Sequence, residues 1–470
     1  MKKLLASFAA VLIVIVYITS CKKKDNDDIP DPCPTPPCDT PYVQNTPWPK
    51  WVFQHWVWED EGTTASARAL VDDYLAHNIP VAAIVIDSPW ETCYNTFEWD
   101  STLYPNAKQM IDYFHSKNIK VLMWITGVIN VDCQPLYDYA KSHNYFLKNS
   151  ANDPNPKVVS WWKGDGSLID FHNPQAVAWW KGLMDKVLDM GIDGWKCDGA
   201  DFYAFPQAYS PGKGGMVTRL EHSHAYYRLF HDYTRQKRGI STAIMSRPID
   251  NYNLGDFGGD LAAFSPKDIG WSCWVGDQDA TFAGLKAALN NMYWSSVYPY
   301  LIFGSDIGGY REDNSSPPHF RTKRLFIRWA QLGAFSGLME NGGGGEHRPW
   351  MFDAQTDDIY RKLVVMREKY LVGYLLEQSV AANNAGKSLM TFLDKSKYSY
   401  LLGTDIFVTP ILDDFGTVTI NFPAGNDKWV YLYDKTKVYD GGTSITKTFP
   451  IDEFPVFVRQ GTPLANVITP

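Results

Sequence analysis

The chain has 470 residues, with 52 acidic against 44 basic side chains and a formal net charge of −8. An acidic chain without a basic cluster argues against a nucleic-acid partner. Aromatic residues make up 15%, with 18 Trp, a supply of flat faces with polar tips that suits stacking on sugar rings as well as an ordinary large core.

In chain order, Lys2 and Lys3 precede an apolar run over 4–18 and small residues before Cys21, the pattern of a signal peptide over 1–20. Ile18-Thr19-Ser20-Cys21 resembles the bacterial lipobox, which implies cleavage before Cys21 and a lipid on its sulfur. The expected protein is exported, at the periplasm or outer-membrane surface, and touches membrane only through that anchor. Residues 21–47 are charged, then Pro-rich, with almost nothing to bury, and read as a disordered spacer. Within it Cys33 and Cys38 either close a small disulfide in an oxidising compartment or stay free. Cys93, Cys133, Cys197 and Cys273 are scattered singly, and no Cys/His cluster has metal-ligand spacing, so neither a metal nor a cofactor is expected.

From Trp48 the sequence alternates short apolar runs with longer helical periods, the form of repeated βα units. Candidate strands are 51–58, 81–87, 120–125, 194–198, 242–245, 271–275, 300–304 and a weak one at 337–339. Eight such strands close an α/β (β/α)8 TIM barrel, assigned to 48–385. The clearest helix has Asn173 as N-cap, Pro174 at its first position and Gly191 past its end, with Val177, Trp180, Met184, Val187 and Leu188 on one face. A further helical stretch covers 357–377. Residues 386–470 then give short β-like runs broken by Gly, Pro and Asn/Asp turns, read as a small C-terminal antiparallel β-sandwich.

Barrel enzymes assemble their sites at the C-terminal ends of the strands. Asp87, Asp198, Arg247, Asp277 and Asp306 each fall at such an end, so five polar residues converge on one mouth. Paired carboxyls there suit glycosidic cleavage, in which one protonates the departing oxygen and the other attacks the anomeric carbon or activates water. Lys196 and Arg247 would keep one carboxylate ionised while the other stays protonated in a more apolar setting beside Trp274. These neighbours do not fix which is which.

Four segments resemble glycoside hydrolase family 31. Asp193-Gly194-Trp195-Lys196-Cys197-Asp198-Gly199-Ala200-Asp201 is similar to its nucleophile motif, and Trp274-Val275-Gly276-Asp277-Gln278 to its acid/base motif. Gly304-Ser305-Asp306-Ile307-Gly308-Gly309-Tyr310 resembles its Ser-Asp-Ile-Gly-Gly-Phe segment. Arg328-Trp329-Ala330-Gln331-Leu332-Gly333-Ala334-Phe335 resembles its Arg-Trp-x-Gln-x-Gly-Ala-Phe helix. Order and spacing agree from about Trp48 to Thr462.

The resemblance implies a retaining α-glycoside hydrolase with a carbohydrate substrate, Asp198 as nucleophile and Asp277 as acid/base. Asp87, Arg247 and Asp306 would hold sugar hydroxyls, with Lys196, Trp274, Trp124, Trp162 and Lys163 around the pocket. Trp161 is a further pocket candidate, and Trp161 and Trp162 could equally be barrel packing. The expected substrate is a terminal α-glucoside, with an α-galactoside second. Rival readings are a tethered carbohydrate-binding protein without catalysis and an α-glucan lyase using the same nucleophile.

Three departures stand out. Asp201 replaces the family's usual Glu. Where the family often has Arg-x-His touching the sugar, the chain reads Met339-Glu340-Asn341 and then Gly342 to Gly345, Glu346 and His347. Either Asn341 takes that role or His347 reaches back. No N-terminal β-sandwich precedes the barrel, which would leave a more open site.

Overall fold

The computed structural model describes residues 46–199, 207–249, 264–312, 320–395 and 398–470. Cys21, Cys33, Cys38 and Asp201, with the leader and spacer, lie outside the described residues. No described helix is long and apolar enough to cross a membrane.

Eight parallel strands form the barrel: β1 (His55–Glu59), β2 (Ala83–Ile86), β3 (Lys120–Ile125), β4 (Gly194–Cys197), β5 (Ala243–Met245), β6 (Cys273–Trp274), β7 (Phe303–Gly304) and β8 (Met339–Asn341). Six pair in the order β5-β4-β3-β2-β1-β8, and β6 pairs with β7. Single bridges, Ser246 to Cys273 and Asp306 to Glu340, join the two sets and close the ring. Alanine, valine and isoleucine fill β2, which is buried along its whole length, as expected of parallel strands covered on both faces. Gly194 is required at the start of β4, because a Cβ there would overlap the Ala243 carbonyl on β5.

Several predicted boundaries move. Residues Lys50–Phe53 form a 3-10 turn with Trp51, Val52 and Phe53 buried, and the strand begins only at His55. A continuous apolar run does not tell a buried turn from a buried strand. The strand predicted at 337–339 is Met339–Asn341, and the sixth and seventh strands shrink to two residues each. The helix Pro174–Leu188 forms with the expected cap, the Asn173 side chain accepting from the Gln175 and Ala176 amides. Its buried face adds Ala176 and Leu183 to Trp180, Met184, Val187 and Leu188, while Val177 is only half-buried. The stretch predicted at 357–377 becomes two helices, Ala354–Met366 and Val372–Asn384, joined by a π-helical turn, Arg367–Leu371.

Cys93 and Cys133, which looked unrelated in sequence, form a disulfide. They lie 40 residues apart but in the segments that follow β2 and β3, and those strands are neighbours. Cys197 and Cys273 are buried free thiols.

Beyond the barrel, six antiparallel strands form one sheet in the order Met390–Asp394, Ser399–Leu402, Ile406–Val408, Val456–Arg459, Lys428–Tyr431, Asp434–Asp440. A two-stranded ribbon, Thr417–Asn421 with Ser444–Thr448, accompanies it, and Phe422 at the ribbon's end packs on Phe407 and Phe457 of the sheet. The helix Lys323–Ala334 docks this domain. Arg328 donates to the carbonyls of Phe449, Pro450 and Glu453, and Gln331 Nε2 donates to that of Ile451.

Candidate active site

The barrel places Asp87, Asp198, Arg247, Asp277 and Asp306 just past the ends of β2, β4, β5, β6 and β7. Asp87, Ser88, Trp124, Trp162, Lys163, Lys196, Asp198, Arg247, Asp277, Tyr310 and Arg311 line a cleft of about 280 Å³ at that mouth.

Arg247 organises the centre. Its Nη2 lies 2.9 Å from Asp198 Oδ1 and 3.2 Å from Asp277 Oδ1, and its Nε donates to Asp198 Oδ1 at 3.0 Å. Because one nitrogen touches both carboxylates, the two oxygens can be no further apart than those two legs laid end to end. The Trp124 indole N–H donates to Asp198 Oδ2 at 3.2 Å and the Gly199 amide to Oδ1 at 2.8 Å. Trp274 lies under the guanidinium, its ring 4.6 Å from Arg247 Cζ, and its N–H reaches Asp277 Oδ1 at 3.4 Å.

This corrects one expectation. A protonated carboxyl was expected beside Trp274, but burial there is outweighed by Arg247 and Lys196, and the Asp277 carboxyl is held below its ordinary range. Arg247 is shared between the two carboxylates rather than assigned to one, and Lys196 belongs to a different partner.

That partner is Asp87, whose Oδ2 lies 2.7 Å from Lys196 Nζ while the Ser88 amide donates to Oδ1 at 2.8 Å. Burial pushes the Asp87 carboxyl up to about 6 against the pull of Lys196. Burial also opposes the charge on Lys196, but Asp87, Asp306 and Asp277 outweigh it and the ammonium is held.

Asp306 takes a different position from the one expected. It is fully buried and does not line the cleft, and no hydrogen-bond partner among the described residues reaches either oxygen. Burial first, and then repulsion from Glu340, pushes Asp306 well above the carboxylate range. Burial raises the Glu340 carboxyl as well.

Neither candidate for the family imidazole reaches the cleft. The Asn341 amide donates to the Tyr74 hydroxyl at 2.7 Å and to the His347 carbonyl at 3.0 Å. His347 is buried beneath the glycine-rich loop, where desolvation and Arg321 hold its imidazole neutral, well below its ordinary range. The cause is the loop itself, since Arg321 donates to the carbonyls of Gly308, Gly344 and Glu346 and seals it over the ring.

The aromatic pair also separates. Trp161 is buried, with its N–H on Asn130 Oδ1 at 2.7 Å, whereas Trp162 is 44% exposed and lines the cleft. Both follow from a hairpin, Val158–Trp161 with Gly164–Leu168, whose turn carries Trp162 and Lys163 to the mouth.

Tyr310, Asp60, Trp58 and Glu340 escaped the sequence reading. Tyr310 sits where the resembled motif has Phe, and its hydroxyl donates to Asp60 Oδ2 at 3.1 Å; that substitution was the one visible signal. Among the described residues no group of His, Cys, Asp and Glu is arranged to hold a metal ion.

Residues 46–376 match the family model described as the glycosyl hydrolases family 31 TIM-barrel domain, and residues 348–464 match that family's C-terminal domain. An alpha-xylosidase of Emericella nidulans is 26% identical over 88% of this chain and 53% of its own length. Human neutral alpha-glucosidase C is 24% identical over 86% and 44%. The chain spans about half the length of the curated relatives it matches. Among solved structures, a Flavobacterium johnsoniae GH31 dextranase complexed with glucose superposes with a TM-score of 0.73 at 21% identity, covering 88% of this chain and 52% of that one.

Proposed function

Since the chain belongs to glycoside hydrolase family 31, we propose that it hydrolyses terminal α-glycosides by a retaining double displacement, with Asp198 as nucleophile and Asp277 as acid/base. One observation carries this: the two carboxylates share a single guanidinium nitrogen. Their nearest oxygens are then at most about 6 Å apart, a bound that accommodates the ~5–5.5 Å of retaining pairs.

The chemistry follows from the charges. Asp198 forms a bond to the anomeric carbon as the glycosidic bond breaks, and Asp277, which must first take up a proton against the pull of Arg247 and Lys196, gives that proton to the departing oxygen. In the free protein Arg247 divides its charge between the two carboxylates. Once Asp198 is esterified its charge is gone, the guanidinium acts on Asp277 alone, and that carboxylate favours the ionised form suited to take a proton from the incoming water. Asp87, Lys196 and Trp162 hold the sugar.

The first sugar to offer is an α-glucoside, with α-xylosides and α-galactosides beside it, because relatives carry alpha-xylosidase and alpha-glucosidase names. Aryl α-glycosides differing only in the sugar, assayed against wild type and Asp198→Ala, test the reading. Turnover by wild type alone, with proton NMR showing the α-anomer released first, supports it. Equal turnover by both proteins, or initial release of the β-anomer, removes it.

The sequence at Cys21 and the Cys93–Cys133 disulfide support an exported, lipid-anchored protein, since disulfides persist in oxidising compartments. Metabolic labelling with a fatty acid, abolished in Cys21→Ala, is the expected result.

A further inference from the structure

The Lys196–Asp87 pair lines the cleft, yet what holds its ammonium sideways lies behind the wall. Lys196 Nζ stands 3.4 Å from the centre of the Trp58 indole, over the electron-rich face that attracts a cation. Trp58 itself is buried and does not line the cleft. Its N–H donates to Glu340 Oε2 at 2.7 Å, and Tyr310 stacks on it at 5.9 Å with 17° between the planes. β1 and β8 are paired in register, Trp56 with Glu340 and Val57 with Asn341, which sets the acceptor beside the ring. Gly342, the first residue past β8, completes the arrangement, because a Cβ there would overlap Cγ, Cδ1 and Cδ2 of the indole.

Ring, acceptor and gap are thus matched across two neighbouring strands. A tryptophan serving only as filler would give its faces to apolar neighbours; this one gives a face to a buried ammonium and is fixed at its edge by a carboxylate. We propose that Trp58 is a positioning residue for sugar recognition, holding the Lys196–Asp87 pair where it meets one hydroxyl of the bound sugar. The inference rests on the cleft binding a sugar, not on its hydrolysing one.

The test therefore reads binding. In the full chain carrying Asp198→Asn, calorimetry with free glucose, galactose and xylose identifies the tightest sugar, and its monodeoxy analogues are then titrated. Asp87→Asn marks the hydroxyl that the pair reads, as the analogue on which that substitution has no effect. Trp58→Leu is expected to weaken the parent sugar by about tenfold and to leave the same analogue unaffected, with Trp58→Phe intermediate. Gly342→Ala, which displaces the ring without altering it, should give the same pattern, and with Trp58→Phe it decides the matter if Trp58→Leu does not fold. Weakening that is equal across every analogue, or none at all, overturns the proposal. If wild type hydrolyses no aryl α-glycoside, the hydrolase reading fails while this binding pattern still judges Trp58; absence of binding to every sugar removes both.

Discussion

Arg247 at the C-terminal mouth of the barrel and Arg367 at the opposite end are both almost fully buried, but they meet different partners. Arg247 touches two carboxylates. Arg367 donates to the carbonyls of Phe53, Gly333, Ala334, Ser336 and Gly337, and burial among those neutral groups lowers its guanidinium to about 9. Carbonyl dipoles satisfy a charge without answering it, so the far end gains a fixed geometry and nothing that exchanges protons with a substrate. At the mouth, charge answers charge, and each proton gained or lost there alters the neighbours. The near end is built for chemistry and the far end for shape.

That contrast is sharpest where a substitution removes function without fold. Asp198→Ala should lower kcat by at least about 10⁴-fold while the thermal midpoint stays within a few degrees, read by steady-state kinetics and calorimetry on the same sample. Arg367→Leu should do the reverse. Five carbonyls lose this donor, a cost of about 3–5 kcal/mol in unfolding free energy, and kcat per folded molecule stays within about twofold; denaturant titration with active-site counting separates the two. A comparable loss of kcat in both variants would erase the distinction between the ends.

A smaller effect tests the far end by pH. His55 is buried, its Nδ1–H donating to the Pro80 carbonyl and its Nε2 accepting from the Tyr360 hydroxyl, and burial first, then Arg367, lowers it to about 4. The unfolded chain therefore binds this proton from about 6.5 downward while the folded chain does not, so stability falls as pH drops through that window. Between pH 7 and pH 5 the loss is about 2 kcal/mol, and His55→Gln should remove that part of the slope. The mouth gives the smallest effect. Asp87 is raised to about 6, so below that pH it takes a proton and releases Lys196. kcat/KM should then fall by up to about tenfold per pH unit, and a flat profile from 7 to 5 would show that the pair does not contribute to sugar binding.

The sequence carried the mouth further than it carried the rest. Strand-end aspartates are legible because period and turn residues mark where each strand stops, and Asp198 and Asp277 stand among them, singled out by the family resemblance. The nature of their partners was not, since Arg247 lies 49 residues from Asp198 and 30 from Asp277, and only the closed ring shows that one nitrogen serves the two. Trp58 and Glu340 lie on strands whose pairing, first with last, exists only after closure. Asn341 and His347 were misread because a Gly-rich stretch can turn either way, and Arg321, far along the chain, decides that it folds over the imidazole. The Cys93–Cys133 bond was hidden for a similar reason: spacing within the chain says nothing about two loops that sit on adjacent strands.

The docking by Arg328 and Gln331 reaches beyond the junction it joins. Their donors terminate on main-chain carbonyls of the segment 449–453, and Trp329 on the same helix donates to Ser305, the residue before Asp306. A shortened protein ending after the last barrel helix would leave the buried Arg328 guanidinium without those carbonyl acceptors, on the helix that carries Trp329. The terminal sheet is therefore no detachable appendage, and trimming it away would loosen the barrel helix that it anchors.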